Sequence, residues 1–125
     1  MNKTAIVILS DPEDGGEEAL GRVFNGFATA YDIKKSGGEV SITFQGTGTR
    51  WIGHLTKQDH PLHALYGLIK ENIAGVSCGC ADFFGGAQEA ISNGYELLTD
   101  NAIPGTSGLP SVGALLRSGT TVLIF

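Results

Sequence analysis

The sequence predicts an α/β protein, a three-layer sandwich around a mostly parallel five-stranded sheet. Short apolar and β-branched segments alternate along the chain with segments of helical periodicity. The first apolar run, Ala5-Ile6-Val7-Ile8-Leu9, is unbroken, as expected of a strand buried on both faces. Glycine supplies 19 of 125 residues, mostly between the apolar segments, which suits tight connections around short elements.

Taken in order, Ala5–Leu9 reads as the first strand and Asp11–Gly16 as a turn-rich loop. A helix follows from about Glu17 to Lys35, with Leu20, Val23, Phe24, Phe27 and Tyr31 on one stripe. Glu17 and Glu18 open it and Lys34 and Lys35 close it, as the helix dipole favours, and Gly37 and Gly38 end it. Glu39–Phe44 alternates and is the second strand. Gln45–Thr49 reads as a glycine-rich loop and Arg50–Leu55 as a short helical turn. Pro61 suits the first turn of a helix whose stripe is Leu62, Leu65, Tyr66 and Ile69. Ala74–Ser77 is a third strand. Asp82 is expected to cap a helix running to about Ser92, with Phe84, Ala87 and Ile91 inward. Leu97 and Leu98 start a short fourth strand, and residues 104–110 form a loop. Ser111 caps a last helix bearing Val112, Leu115 and Leu116, and Thr120–Phe125 is the last strand. Right-handed crossovers place the helices on both faces. Ligands of such sheets bind beyond the carboxyl ends of the strands, here at loops 10–16, 45–50, 78–82 and 99–110.

Length indicates one domain over residues 1–125. The net charge of −5, with eight basic and thirteen acidic residues, argues against a nucleic-acid partner, which needs clustered Lys and Arg. Five of the acids fall between Asp11 and Glu18, so the negative charge is local. No apolar run approaches the roughly 18 residues of a membrane span, and the first run lacks the features of a secretion signal, so a cytoplasmic protein without membrane association is expected.

The two cysteines, Cys78 and Cys80, cannot form a disulfide framework. They follow a strand and precede a helix, where helix amides would stabilise a thiolate, the nucleophilic form. A disulfide between them would close a very small, strained ring. The stretch Gln45-Gly46-Thr47-Gly48-Thr49-Arg50-Trp51 is a second candidate. Its glycine amides could turn inward as an anion nest, with the Arg50 guanidinium adding a planar donor fork. The spacing matches neither a P-loop nor a complete dinucleotide fingerprint. His54, His60 and His63 share no clean helical face, and Pro61 restricts His60 to extended geometry. A histidine that orients or protonates a bound group, His60 first, is expected over a zinc site shared with the cysteines, so neither metal nor other cofactor is expected. Asp11–Gly16 lacks the spacing of a calcium loop and reads as a solvated helix entry.

Several features resemble the DsrE/DsrF-like family, related to the TusD and YchN sulfur-relay proteins. They are the opening strand with its long first helix, Gly-Thr-Gly-Thr-Arg-Trp after the second strand, and His-Pro within Asp59-His60-Pro61-Leu62. Cys-Gly-Cys-Ala from Cys78 to Ala81 and the closing pattern P-S-x-x-x-L-L-x-x-G-x-x-V from Pro110 to Val122 complete them. The resemblance spans nearly the whole chain. It implies a DsrE/YchN-like fold that assembles as a homotrimer or hexamer. It also implies a cysteine after the third strand that accepts persulfide sulfur from a donor protein and passes it to an acceptor. Cys80 matches that position, and Cys78 is next.

The expected function is therefore a sulfur carrier or sulfurtransferase. Cys80 is the nucleophile, Cys78 a resolving or shielding thiol, and Gly46, Thr47, Gly48, Thr49, Arg50 and His60 are binding residues. The alternative is a small-ligand or anion binding module that uses the glycine-rich stretch alone. From Ile73 to Gly86 the chain carries one charge, Asp82, alongside Phe83 and Phe84. That strip and the Trp51–Ile52 segment are expected to be buried between subunits.

Overall fold

Each apolar segment becomes a strand whose two faces differ in what covers them. The computed structural model describes residues 2–125. Its strands are β1 (Lys3–Ile8), β2 (Glu39–Phe44), β3 (Ile73–Ser77), β4 (Glu96–Leu98) and β5 (Thr121–Ile124). They form one sheet in the order β4-β3-β2-β1-β5. Every pairing is parallel, so the expectation of a mostly parallel sheet sharpens to a wholly parallel one. The register sets Ile6 beside Ile42 and Ile8 beside Phe44, and Ile6 beside Leu123 on the other flank. Because side chains alternate, Ile6 and Ile8 enter the main core while Ala5 and Val7 face the opposite side. All four are buried, as the unbroken run predicted.

The chain steps from β1 through β2 and β3 to β4 in one direction. It then crosses the whole sheet to lay β5 beside β1. Right-handed crossovers put α1 (Gly16–Lys35), α2 (Trp51–Leu55), α3 (His63–Ile69), α4 (Cys78–Phe84) and α5 (Ala87–Ser92) on one face. The return puts α6 (Val112–Arg117) on the other, giving three layers. The Ser111 hydroxyl accepts from Ala114 N–H at 3.1 Å, so it caps α6 as expected. That helix nevertheless buries none of its residues.

Two helix assignments change. The buried arc of α1 is Ala19, Val23, Gly26, Phe27 and Ala30, and Phe24 stands outside it, 52% exposed. Gly26 centres that arc, because a Cβ there would come within 2.9 Å of Ile8 Cδ1 and 3.2 Å of Phe125 Cγ. Phe27 meets the Phe44 ring edge-on at 6.2 Å. The helix expected from Asp82 to Ser92 is two helices, broken at Gly85 and Gly86, whose φ angles of +90° and +101° end one and admit the next. Its cap is Ser77, whose hydroxyl accepts from Cys80 N–H at 3.3 Å, not Asp82. The earlier start sends Ala81 and Ala90 into the core and leaves Phe84 and Ile91 outside.

Candidate functional site

The glycine-rich stretch after β2 is a 3-10 turn, Gly46–Arg50, not an open loop. Gly48 is there for contact: a Cβ would lie 2.3 Å from the Ile8 carbonyl oxygen. Its N–H donates to Gln45 O at 2.9 Å. Thr47 donates to Leu9 O at 3.3 Å. Thr49 is fully buried, with its hydroxyl 2.8 Å from Gly85 O and 3.1 Å from Gly46 O. Arg50 donates through Nε to Phe84 O at 2.7 Å and through Nη1 to both Asp11 carboxylate oxygens at 3.2 Å. Burial alone would push the Asp11 carboxyl up. The backbone N–H groups of Glu13 and Asp14, together with Arg50, outweigh it and hold the carboxyl below its ordinary value. The Gly48 N–H, the Thr47 and Thr49 hydroxyls and Arg50 Nε and Nη1 are thus engaged within the turn, on the loop after β1 and on the end of α4, while Arg50 also lines an open cleft. Trp51 and Ile52 are buried in the chain's own core, and Trp51 Nε1 donates to Ser10 O at 2.8 Å. This corrects their expected place between subunits: their apolar surface is already used.

The cysteines lie in the first turn of α4, directly after β3, rather than in a loop. Both are free and half-buried. Residues two apart on a helix project about 200° apart around its axis. Cys78 therefore shares a side with Asp82, four residues on, and Cys80 shares a side with Phe84. An internal disulfide, and with it the resolving role for Cys78, would require this turn to unwind.

Gly79, between them, lets another segment approach. A Cβ there would come 2.7 Å from Leu109 Cδ1 and 3.0 Å from Gly108 O, and Gly79 N–H donates to that oxygen at 2.7 Å. Gly108, at φ +106°, packs in turn on Thr99. This clamp sets Ser107 Oγ 3.1 Å from Cys78 Sγ and 2.6 Å from Asp82 Oδ2. Reading the sequence missed Ser107 and took Asp82 for a cap. The available signal was Gly79 itself, a side chain omitted between two thiols.

The 3-10 turn and α4 pack together, as the common edge predicts. Their hydrogen bonds meet at Phe84 and Gly85, however, the end of α4 opposite the cysteines. The histidines sit apart from the thiols. His60 Nδ1 accepts from Leu62 N–H at 3.0 Å, and its ring stands edge-on to Trp51 at 6.2 Å. Burial, then the charge of nearby His54, lowers the His60 pKa. His63 Nδ1 is 2.8 Å from Leu55 O, and His54 Nε2 is 3.3 Å from Glu13 Oε2. Among the described residues no three His, Cys, Asp or Glu side chains converge as a metal site. An open cleft of about 420 Å³ beyond α4 is lined by Glu13, Arg50, His54, Lys57 and Glu89 among others, and neither cysteine lines it.

No family model, curated protein or solved structure matches the chain. Fold and site together define a class: a parallel α/β protein with two free thiols where its third strand meets a helix. Among the described residues no helix is long and apolar enough to cross a membrane.

Proposed function

We propose that this protein is a cytoplasmic sulfur carrier that holds persulfide sulfur on Cys80. The observation that carries the reading is the position of two free, half-buried thiols at the carboxyl edge of a parallel sheet, where such folds bind their ligands. The Cys80 thiolate attacks the outer sulfur of a donor persulfide. A new S–S bond forms on Cys80, the donor's S–S bond breaks, and the donor leaves as its thiolate. An acceptor thiolate then attacks the outer sulfur on Cys80 and regenerates the free cysteine. No electrons are gained or lost overall, and no cofactor enters. Phe83, 73% exposed on the same short helix, offers an apolar surface for a second copy in a homotrimer or hexamer, or for the donor and acceptor proteins.

The test is incubation of the full chain with glutathione persulfide, followed by intact-mass analysis. The expected result is a gain of one sulfur atom in wild type and in Cys78→Ser, and none in Cys80→Ser. No gain in wild type, or equal gain in Cys80→Ser, overturns the reading.

A further inference from the structure

The two thiols are two residues apart and share Gly79 as a neighbour, yet the fold gives them different chemical surroundings. Cys78 Sγ is 3.1 Å from the Ser107 hydroxyl, which is 2.6 Å from the Asp82 carboxylate. The hydrogen bond of Cys80 runs through its backbone N–H, to Ser77 Oγ at 3.3 Å. A hydroxyl has one proton and can direct it to either acceptor. The shorter contact favours the carboxylate, and the Ser107 oxygen then accepts the proton of the Cys78 thiol. The chain then runs thiol to hydroxyl to carboxylate. Ionising Cys78 would leave two anions, sulfur and carboxylate, competing for that one proton, each repelling the other.

We propose that Ser107 and Asp82 are positioning residues that hold Cys78 as a hydrogen-bonded thiol, so that Cys80 is the faster nucleophile of the pair. This rests on the sulfur-carrier reading for its purpose but not for its test. The clamp that delivers Ser107 is backbone: the Gly79–Gly108 hydrogen bond at 2.7 Å and the close packing of Gly108 on Thr99. The fold thus sets where the backbone of Ser107 lies, next to the first turn of α4. Other titratable groups on the elements around α4 are few. Cys80 is on the helix itself. Arg50, on the 3-10 turn, is engaged by Asp11 and by Phe84 O at the helix's far end. Glu89 lies on α5, and Asp100, on the segment that carries Ser107, accepts from Ser111 N–H. Strand β3 contributes none. Asp82 is thus the anion bonded to the hydroxyl that meets Cys78.

The experiment alkylates the full chain with iodoacetamide between pH 6 and pH 9 and quantifies the Cys78 and Cys80 peptides separately by mass spectrometry. In wild type Cys80 reacts faster. Asp82→Asn raises the Cys78 rate at neutral pH by about threefold or more, the effect of one charge under 6 Å away even at the dielectric of water. It also moves the Cys78 rate profile to lower pH. The Cys80 profile stays in place, and Asp82→Glu retains the wild-type order. In the Ser107→Ala background the gain from Asp82→Asn shrinks, because the hydroxyl freed to donate to sulfur is gone. An unchanged Cys78 rate in Asp82→Asn, or an equal rise in both cysteines, overturns the proposal. So does an undiminished gain in the Ser107→Ala background. Iodoacetamide carries no sulfane sulfur. A chain that shows this reactivity order but takes up no sulfur from glutathione persulfide refutes the carrier reading and leaves the positioning roles standing.

Discussion

The 3-10 turn after β2 and the start of α4 both follow a strand, both place glycine among small polar residues, and both lie on the carboxyl edge of the sheet. In the first, side chains tie the turn to its neighbours: Thr49 on Gly85 and Arg50 on Asp11 and Phe84, with Gly48 packed against the end of β1. In the second, the Cys78 thiol, a hydroxyl and a carboxylate meet at the surface while Cys80 projects from another side of the helix, and the glycine serves to bring a distant segment over one thiol. Similar composition thus yields a joint in one place and a surface bearing free thiols in the other. What separates them is what the polar atoms bond to: neighbouring loops that tie the fold together in the first, and a thiol at the surface in the second.

The comparison breaks if the joint proves dispensable. The largest effect is expected from Gly86→Ala, whose Cβ would lie 2.0 Å from Thr49 O at a φ of +101°. Left-handed strain and backbone overlap together should cost about 3 kcal/mol, read as a lowered midpoint in urea unfolding. Next is Arg50→Met. It removes a pair whose side chains are only 22% and 18% exposed, and it leaves the Phe84 carbonyl without its donor. A loss of about 2 kcal/mol is expected, with the alkylation rates of Cys78 and Cys80 unchanged. This loss should depend on pH. The folded-state pKa of Asp11 is depressed, so its contribution is fully present above the unfolded value near 4. It disappears as pH falls through the folded value. The stability difference between wild type and Arg50→Met should therefore narrow in acid, leaving the part due to the Phe84 carbonyl. Unfolding curves followed from neutral pH down through the range below about 4 check this, and a difference that stays constant throughout would show that the ion pair contributes nothing.

The smallest effect concerns His60 and Trp51, the single tryptophan. The folded pKa of His60 is lowered, so the neutral ring persists below the ordinary value near 6.5, and stability falls as pH drops from there through the folded value. Protonation of Nδ1 would remove the acceptor for Leu62 N–H. Trp51 fluorescence should therefore change over a transition centred below pH 6.5, and His60→Ala should abolish it. A transition at or above that value would mean that the ring is not buried as described.

Much of the architecture is legible in the chain. An unbroken apolar run such as Ala5–Ile8 is covered on both sides, although Leu9, which the run also includes, lies past the strand and is exposed. An alternating Glu39–Phe44 is a strand with two unlike faces. Ser111 announces a helix start because a hydroxyl at that position can take an orphan amide. Apolar periodicity and capping are local properties, and they settled the α/β layering, the strands and the thiol pair at a strand-to-helix junction. Where periodicity failed, the decisive contact came from elsewhere in the chain. Phe24 lies outside its stripe because Gly26 admits Ile8 and Phe125. Trp51 is core because Ser10 O accepts its indole N–H. The division between a spent glycine turn and an open cysteine turn depends on partners such as Asp11 for Arg50 and Ser107 for Cys78, the latter 29 residues away. A hydrogen bond across such a distance leaves no periodic trace in the sequence, and only the folded sheet brings its two ends within 3.1 Å.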